Sequence, residues 1–473
     1  MNNINVSDHW ELIDQKEELW SYSVYSDKLL DVLSNDQFSL NKLWDILIER
    51  HSTDISSLSW KEQFLFLKDR SLYILPEKDL LNKLTIAKEK WEPLSIKFGI
   101  DPTWANVHMW HAVPMIMLNR LQRMGHKINL VIGDFTAKIG DPTWRSSERP
   151  ALTDVQIQEN LSTYQEQVAP FFDISKAQIF YNGEWLKNLT LNELIQALST
   201  VNVSKVLQRD DFRKRLDNKQ WLALSEMIYP IVMWMDSVAL KNKGWCDIEL
   251  GGKDQFLNMQ MCRTLMENHW QEPEIIISTD ILEWISGWWL KMSKSLNNYI
   301  ALNDSSEEIF GKIMSIPDNL LELYYKSLTD ISNQEWNKID EIMQSWKINP
   351  RDVKKTLAKI LISIIYDKDL ALQAELWFEK KFSQKKNYWE LDLPILDINK
   401  SIEIVDLISD NLHISKSETR RLADWWAVIL FLEDGSVARL DITSIQDPMW
   451  KYLNNQIWIL KIGKKRFLKI RCN

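Results

Sequence analysis

The spacing of apolar and polar positions changes several times along the chain. Residues 1 to about 66 are rich in Leu and charge, with Ser34-Asn35-Asp36 and Ser52-Thr53-Asp54 as punctuation. They predict two or three short helices, an accessory cap without chemistry of its own. Pro76-Glu77-Lys78-Asp79 opens a helix that runs to about Lys90. Ser95–Ile100 predicts a buried strand, ended by Asp101-Pro102-Thr103. A helix from about His111 to Met124, closed by Gly125, leads to a second strand at Ile128–Ile132 and then Gly133-Asp134. Strand, helix and strand at this spacing form a βαβ unit, and therefore a parallel sheet. Further strands fit Ala177–Tyr181 and Asp247–Leu250, with helices at Leu152–Val168 and Ser225–Leu240. Such sheets bind ligands beyond the carboxyl ends of their strands. Chemistry is therefore expected just after Ile100, Ile132 and Leu250.

Residues 305 to about 385 read as helical, with helix-spaced apolar positions in Val353–Tyr366. Lys380–Lys386 is basic, and Asn387–Lys400, with Pro394, reads as a linker before a small domain at 401–473.

Composition narrows the class. A chain of 473 residues, 45% hydrophobic and 26% charged, has globular character and room for two to four domains. Cys246, Cys262 and Cys472 form no close pair, which excludes a disulfide framework or Cys-rich zinc site and suits a reducing compartment. The polar, acidic start MNNINVSDHWEL is unlike a signal peptide, and no apolar run is long enough for a membrane span. The expected location is the cytoplasm. The net charge of −9 excludes a global basic field, but residues 411–473 carry 11 Lys/Arg against 6 Asp/Glu. Any contact with nucleic acid is thus local.

Two constellations carry chemistry. In Asp101-Pro102-Thr103-Trp104-Ala105-Asn106-Val107-His108-Met109-Trp110-His111, His108 and His111 stand one helical turn apart at a helix start, where backbone N–H groups favour an anion. Two imidazoles there can hydrogen-bond a phosphate. Metal binding is the rival role, but no carboxylate or Cys lies at ligand spacing, so no protein-bound metal is expected. In Leu290-Lys291-Met292-Ser293-Lys294-Ser295, two lysines flank a small polar loop able to close on a triphosphate.

Together, and in this order, the two segments resemble the HIGH and KMSKS signatures of class I aminoacyl-tRNA synthetases. Phe98-Gly-Ile-Asp-Pro-Thr103, Ile139-Gly-Asp-Pro-Thr143, Tyr229-Pro with Asp236-Ser, and Gly251-Gly-Lys-Asp-Gln255 resemble the tyrosyl-tRNA synthetases, in the bacterial subgroup with Lys at position 97. The resemblance covers about residues 70 to 473. It implies an α/β fold. A Rossmann-like parallel-sheet catalytic domain (67–304) follows the helical extension (1–66). A helical anticodon-binding domain (305–390) and a small α+β RNA-binding domain (401–473) come after it.

The implied activity is tyrosine–tRNA ligation, with ATP and Mg²⁺ as the substrate complex. Implied partners are tRNA(Tyr), tyrosine and a second copy of the chain, since relatives are homodimers. Asp236 would accept the phenol hydrogen bond, Asp141 would hold the ammonium, Gln255 the carboxylate, and Tyr229 would line the pocket. Asp254 would hold the ATP ribose, and Thr103, His108 and His111 the phosphates. Arg145 and Arg149 would join Lys291 and Lys294 on the departing pyrophosphate. Lys416, Arg420, Arg421, Lys464, Lys465 and Arg466 would meet tRNA phosphates. A tryptophan-specific synthetase of the same fold is a weaker reading, opposed by the basic C-terminal domain and the Gly-Gly-x-Asp-Gln block.

The sequence departs from the resemblance in one systematic way. It holds 24 Trp and 12 Gly, where a chain of this length carries roughly 33 Gly. Trp110 stands at the glycine of the first signature. Trp104, Trp144, Trp234, Trp270, Trp284, Trp425 and Trp426 also stand where relatives carry Gly, while Trp91, Trp245, Trp288 and Trp289 fall in turn-like contexts. This pattern reads as UGA codons that mean glycine but have been translated as tryptophan, with Trp185 a genuine tryptophan. A literal Trp110 would fill the nucleotide site and leave a catalytically inactive RNA-binding relative. Met233, where many relatives have Gln, and Lys253, where Ser or Thr is usual, are separate departures.

Overall fold

The computed structural model describes residues 27–34, 39–102, 107–139, 153–207, 210–244, 246–282, 299–383, 395–399, 401–412, 414–424, 428–431, 437–440, 444–448, 457–462 and 466–472. The chain forms two compact units, Met1–Phe378 and Glu379–Asn473.

The first unit is organised by a six-stranded sheet. Its strands are β1 (Tyr73–Leu75), β2 (Ser95–Ile100), β3 (Lys127–Ile132), β4 (Gln178–Tyr181), β5 (Ile248–Gly252) and β6 (Ile275–Thr279), in the order β1-β6-β5-β2-β3-β4. β1 runs antiparallel to β6, and the other four pairings are parallel. This is a Rossmann-like sheet. The chain leaves β2 toward β3 on one side, and β5 lies on the other, so the order reverses at the β2–β5 boundary. That boundary is where a ligand crevice opens.

β2, β3 and β6 are largely apolar and buried because helices cover both faces of a parallel sheet, and β5 is buried as well although it carries Glu249. Ile96, Leu130, Ile248 and Ile277 are fully enclosed. The sequence reading missed β6, although Ile275-Ile276-Ile277 is an apolar run, and missed β1, a three-residue edge strand with little burial.

The helices that position the site are α1 (Met109–Arg123), α2 (Leu224–Asn242) and α3 (Phe256–Asn268). α1 begins two residues before His111, where the sequence reading started it. Met109 N–H donates to Ile300 O at 2.8 Å, which fixes the first turn from outside the helix.

The N-terminal helices share the same core. Trp44 Nε1 donates to Ser363 Oγ at 3.1 Å, and Arg50 forms a two-pronged pair with Glu335 at 3.0 and 2.7 Å. Asp330 gathers arginines from several helices. Arg120 Nε donates to it at 2.8 Å, Arg123 also pairs with it, and Arg70 donates to its carbonyl at 2.8 Å. Burial opposes the charge of Asp330, yet Arg123, Arg120 and Arg70 hold its carboxyl far below the usual range. α1 is thereby bound to the helical part of the unit through buried ion pairs, whose rupture would leave uncompensated charge.

The second unit carries a five-stranded sheet: β7 (Ile395–Ile398), β8 (Val428–Phe431), β9 (Val437–Leu440), β10 (Ile457–Ile462) and β11 (Arg466–Cys472), in the order β7-β11-β10-β8-β9. β7 falls in the segment read as linker. It pairs in parallel with β11, so the fold of this unit begins before residue 401. Helices α4 (Ile404–Leu412) and α5 (Lys416–Asp424) complete it, with Ile404, Ile408, Leu430 and Leu460 in its core.

Candidate active site

The crevice is assembled from the carboxyl ends of β2, β3, β4 and β5 and from α2. His108 is the extended N-cap of α1, with φ −124°, rather than a residue of its first turn. Its N–H donates to Nδ1 of His111 at 3.3 Å, and the two rings lie 4.1 Å apart between centroids. His108 also bridges to Ala301 and faces Tyr299 at 6.0 Å. The chain that returns from the lysine loop therefore enters beside the imidazoles. Lys291 and Lys294 themselves lie outside the described residues, as do Thr103, Asp141, Arg145 and Arg149. Trp110 sits against both histidines, 5.9 Å from His108 and 6.3 Å from His111 between ring centroids.

A chain of polar contacts links the strand ends. Tyr229 on α2 donates its hydroxyl to Asp101 Oδ2 at 2.9 Å. Thr136 Oγ1 donates to Asp101 Oδ1 at 2.6 Å, and Asn182 Nδ2 donates to Thr136 Oγ1 at 3.0 Å. Asn182 Nδ2 also reaches Asp236 Oδ2 at 3.3 Å, and Trp185 Nε1 donates to Asp236 Oδ1 at 2.8 Å. Gly133 is required at the turn after β3, because a Cβ there would lie 1.8 Å from Asp101 Oδ1.

Asp236 is buried on α2. Burial pushes its carboxyl up to about 6, while the Lys97 ammonium and the bonds from Trp185 and Asn182 limit the rise. The carboxylate form therefore prevails at neutral pH, positioned by two donors and ready to accept a further bond.

Beneath it, Lys97 and Glu249 face each other across the β2–β5 pairing and form a 2.6 Å ion pair. Lys97 Nζ also donates to Ser237 Oγ at 2.6 Å and to Met233 O at 3.3 Å. Burial opposes the charge on Lys97, but Glu249 and Glu274 raise its ammonium well above the usual value. The lysine thus ties the sheet centre to the helical turn that carries Asp236. The Met233 backbone takes part in that tie.

Across the crevice, Lys253–Gln255 forms a short helical turn before α3. Gln255 Nε2 donates to Asp254 Oδ2 at 3.1 Å, and Asn258 Nδ2 to Gln255 Oε1 at 2.9 Å. Lys253 is exposed, so its departure from Ser or Thr is spent on the surface. Among the described residues, no three His, Cys, Asp or Glu side chains converge to hold a metal.

Residues 89–383 match the family of class I tRNA synthetases for tryptophan and tyrosine. A tyrosine–tRNA ligase of Carboxydothermus hydrogenoformans is 38% identical over 419 residues, covering 87% of this chain and 98% of that protein. One from Thermotoga maritima is also 38% identical, over 87% of this chain and 97% of its own length. The chain belongs to the tyrosyl-tRNA synthetase family.

Solved tyrosyl-tRNA synthetases share the fold. The C-terminally truncated mitochondrial enzyme of Aspergillus nidulans superposes with TM-score 0.55 at 21% identity, covering 72% of this chain and 99% of that one. The Archaeoglobus fulgidus synthetase, complexed with L-tyrosine, gives 0.53 at 19% identity, covering 67% of this chain and 100% of that one.

Of the residues that the sequence reading placed in the site, the structure describes His108, His111, Tyr229, Asp236, Asp254 and Gln255. The sequence reading assigned no role to Asp101, Thr136, Asn182, Trp185, Lys97 or Glu249. Asp101 and Lys97 were visible within the motif, but Tyr229 and Glu249, which they meet, lie more than a hundred residues away. In the second unit, Arg420 and Arg421 are exposed on α5, and Lys416 pairs with Asp406. Lys464 and Lys465 and the Arg466 side chain lie outside the described residues.

Proposed function

We propose that the chain activates tyrosine with ATP and transfers the tyrosyl group to the 3′ end of tRNA(Tyr). The observation that carries this reading is the pairing of two adjacent imidazoles at the start of α1 with the buried, doubly hydrogen-bonded carboxylate of Asp236. Both stand at the carboxyl ends of one sheet.

In the proposed reaction, the tyrosine carboxylate attacks the α-phosphorus of ATP. The bond to the bridging oxygen breaks, and pyrophosphate leaves. A hydroxyl of the terminal tRNA ribose then attacks the carbonyl of tyrosyl-adenylate, and AMP leaves. The protein contributes position and charge stabilisation rather than a covalent intermediate.

Asp236 accepts the hydrogen bond from the substrate phenol. Phenylalanine offers no such donor, and a buried acceptor left unmatched is costly. Tyr229 lines the pocket, Asp141 binds the ammonium and Gln255 the carboxylate. Asp254 holds the ribose. Thr103, His108 and His111 contact the phosphates, with Lys291, Lys294, Arg145 and Arg149 on the pyrophosphate side. Magnesium enters with ATP. Lys416, Arg420, Arg421, Lys464, Lys465 and Arg466 meet the tRNA backbone.

The working form is a cytoplasmic homodimer, and among the described residues no helix is long and apolar enough to cross a membrane. The domains follow the family plan, with residues 305–390 meeting the anticodon. Charging of tRNA from the source cells with labelled tyrosine tests the proposal. Incorporation that depends on both ATP and this protein supports it, and no incorporation contradicts it.

A further inference from the structure

Backbone conformation and indole environment sort several of the described tryptophans, but not Trp234, read above as a glycine position, whose buried ring stacks on His269 at 4.5 Å. Trp91, Trp270 and Trp346 have φ of 57°, 59° and 60°. Each follows the end of a helix: Glu77–Lys90, Phe256–Asn268 and Asn333–Gln344 respectively. Each is also fastened by the same crossed pair of hydrogen bonds. Trp91 N–H donates to Lys88 O and Glu92 N–H to Ala87 O; Trp270 N–H to Glu267 O and Gln271 N–H to Met266 O; Trp346 N–H to Met343 O and Lys347 N–H to Ile342 O.

That is the left-handed helix-terminating motif whose central position is most often glycine, which has no Cβ to strain it; in this chain Lys219 also closes a helix with the same crossed pair. Gly125 closes α1 in this way, with φ 90°, Gly125 N–H on Gln122 O and His126 N–H on Leu121 O. Among the described residues, positive φ occurs at Trp91, Lys219, Trp270 and Trp346, and at Gly125 and Gly244. A bulky aromatic residue is out of place in that company.

The three indoles do not offset the strain. They are 91%, 97% and 92% exposed. Other tryptophans use their rings: Trp185 donates to Asp236, Trp44 donates to Ser363 from a buried position, and Trp336 is buried against Tyr325 at 5.2 Å. Trp110 joins the first group on position. It stands against the two imidazoles at the start of α1, where a residue without a side chain would leave the helix N-terminus open to a phosphate.

We propose that Trp91, Trp110, Trp270 and Trp346 are glycine in the polypeptide the cell makes, encoded by UGA codons that the cell reads as glycine, while Trp44, Trp185 and Trp336 are tryptophan from UGG. A glycine-accepting tRNA that pairs with UGA is the implied partner in its synthesis. The left-handed backbone at residue 346 extends the idea to a position with no motif to mark it.

Peptide mass mapping of the protein purified from its own cells tests this directly. Glycine masses are expected at positions 91, 110, 270 and 346, with tryptophan masses at 44, 185 and 336 in the same digest. A tryptophan mass at any of the first four overturns the proposal. A second measurement uses a gene expressed under the standard code. The triple change Trp91→Gly, Trp270→Gly and Trp346→Gly raises the thermal midpoint, although glycine ordinarily lowers it at a helix-interior position. An unchanged or lower midpoint counts against the proposal. Neither readout involves tRNA charging, so failure here is separable from failure of the proposed activity.

Discussion

Trp185 holds Asp236 by a single indole hydrogen bond, Nε1 to Oδ1 at 2.8 Å, across two segments that meet only when β4 and α2 pack. Together with the bond from Asn182, this contact orients the buried carboxylate. Trp185→Phe keeps the ring and removes the donor. Loss of a hydrogen bond to a charged group costs about 1.5–3 kcal/mol. The tyrosine KM should therefore rise roughly tenfold or more, with the ATP KM nearly unchanged, in steady-state pyrophosphate exchange.

The same carboxyl sets a pH dependence. Burial raises Asp236 to about 6 from its ordinary 3.8. Between those values the folded protein holds a proton that the unfolded chain has released. Its contribution to stability is thus greatest below pH 3.8 and is lost as pH rises toward 6. Function runs the other way, because the phenol needs the ionised acceptor. Tyrosine kcat/KM should fall below pH 6, with a limb that moves upward in Trp185→Phe. A profile that does not move with this substitution would assign the limb to another group, such as the histidines.

In the proposed reaction His111 meets the nucleotide and not the tyrosine. His111→Ala should depress adenylate formation by about 10²-fold while leaving tyrosine affinity within a factor of a few. Single-turnover kinetics and equilibrium binding separate the two effects.

The pair of Lys97 and Glu249 is buried at the centre of the sheet. Lys97→Met leaves Glu249 uncompensated and should cost about 3–5 kcal/mol in urea unfolding. Adding Glu249→Gln should recover much of that loss. Tyrosine selectivity should remain impaired in the double variant, because Lys97 also fixes Ser237 and the Met233 carbonyl beside Asp236.

On the second unit, Arg420→Ala and Arg421→Ala should each weaken tRNA binding and reduce the salt slope of log affinity by about one. Pyrophosphate exchange without tRNA should be unchanged.

Much of the parallel sheet was legible because β2 and β3 are apolar runs closed by Asp101 and Gly133-Asp134, with a clear helix between them. The histidine pair was legible because its two members are local in sequence. The support of Asp236 was not. Asn182 and Trp185 look like ordinary turn residues until β4 is placed beside β3, and Lys97 looks like an interruption of a strand until β5 supplies Glu249. β7 was hidden because Pro394 and the polar residues before it resemble a connection, while its pairing partner, β11, lies at the other end of the domain. Trp346 shows the reverse case: no motif marks it, and only its left-handed backbone sets it apart.

The account rests on tyrosine recognition at the Asp236 pocket coupled to ATP at the imidazoles. Amino-acid-dependent exchange of labelled pyrophosphate into ATP, with protein purified from its own cells, tests that coupling most directly. Exchange should proceed with tyrosine and be near background with phenylalanine or tryptophan. Exchange supported by tryptophan instead, or no exchange with tyrosine, would contradict it.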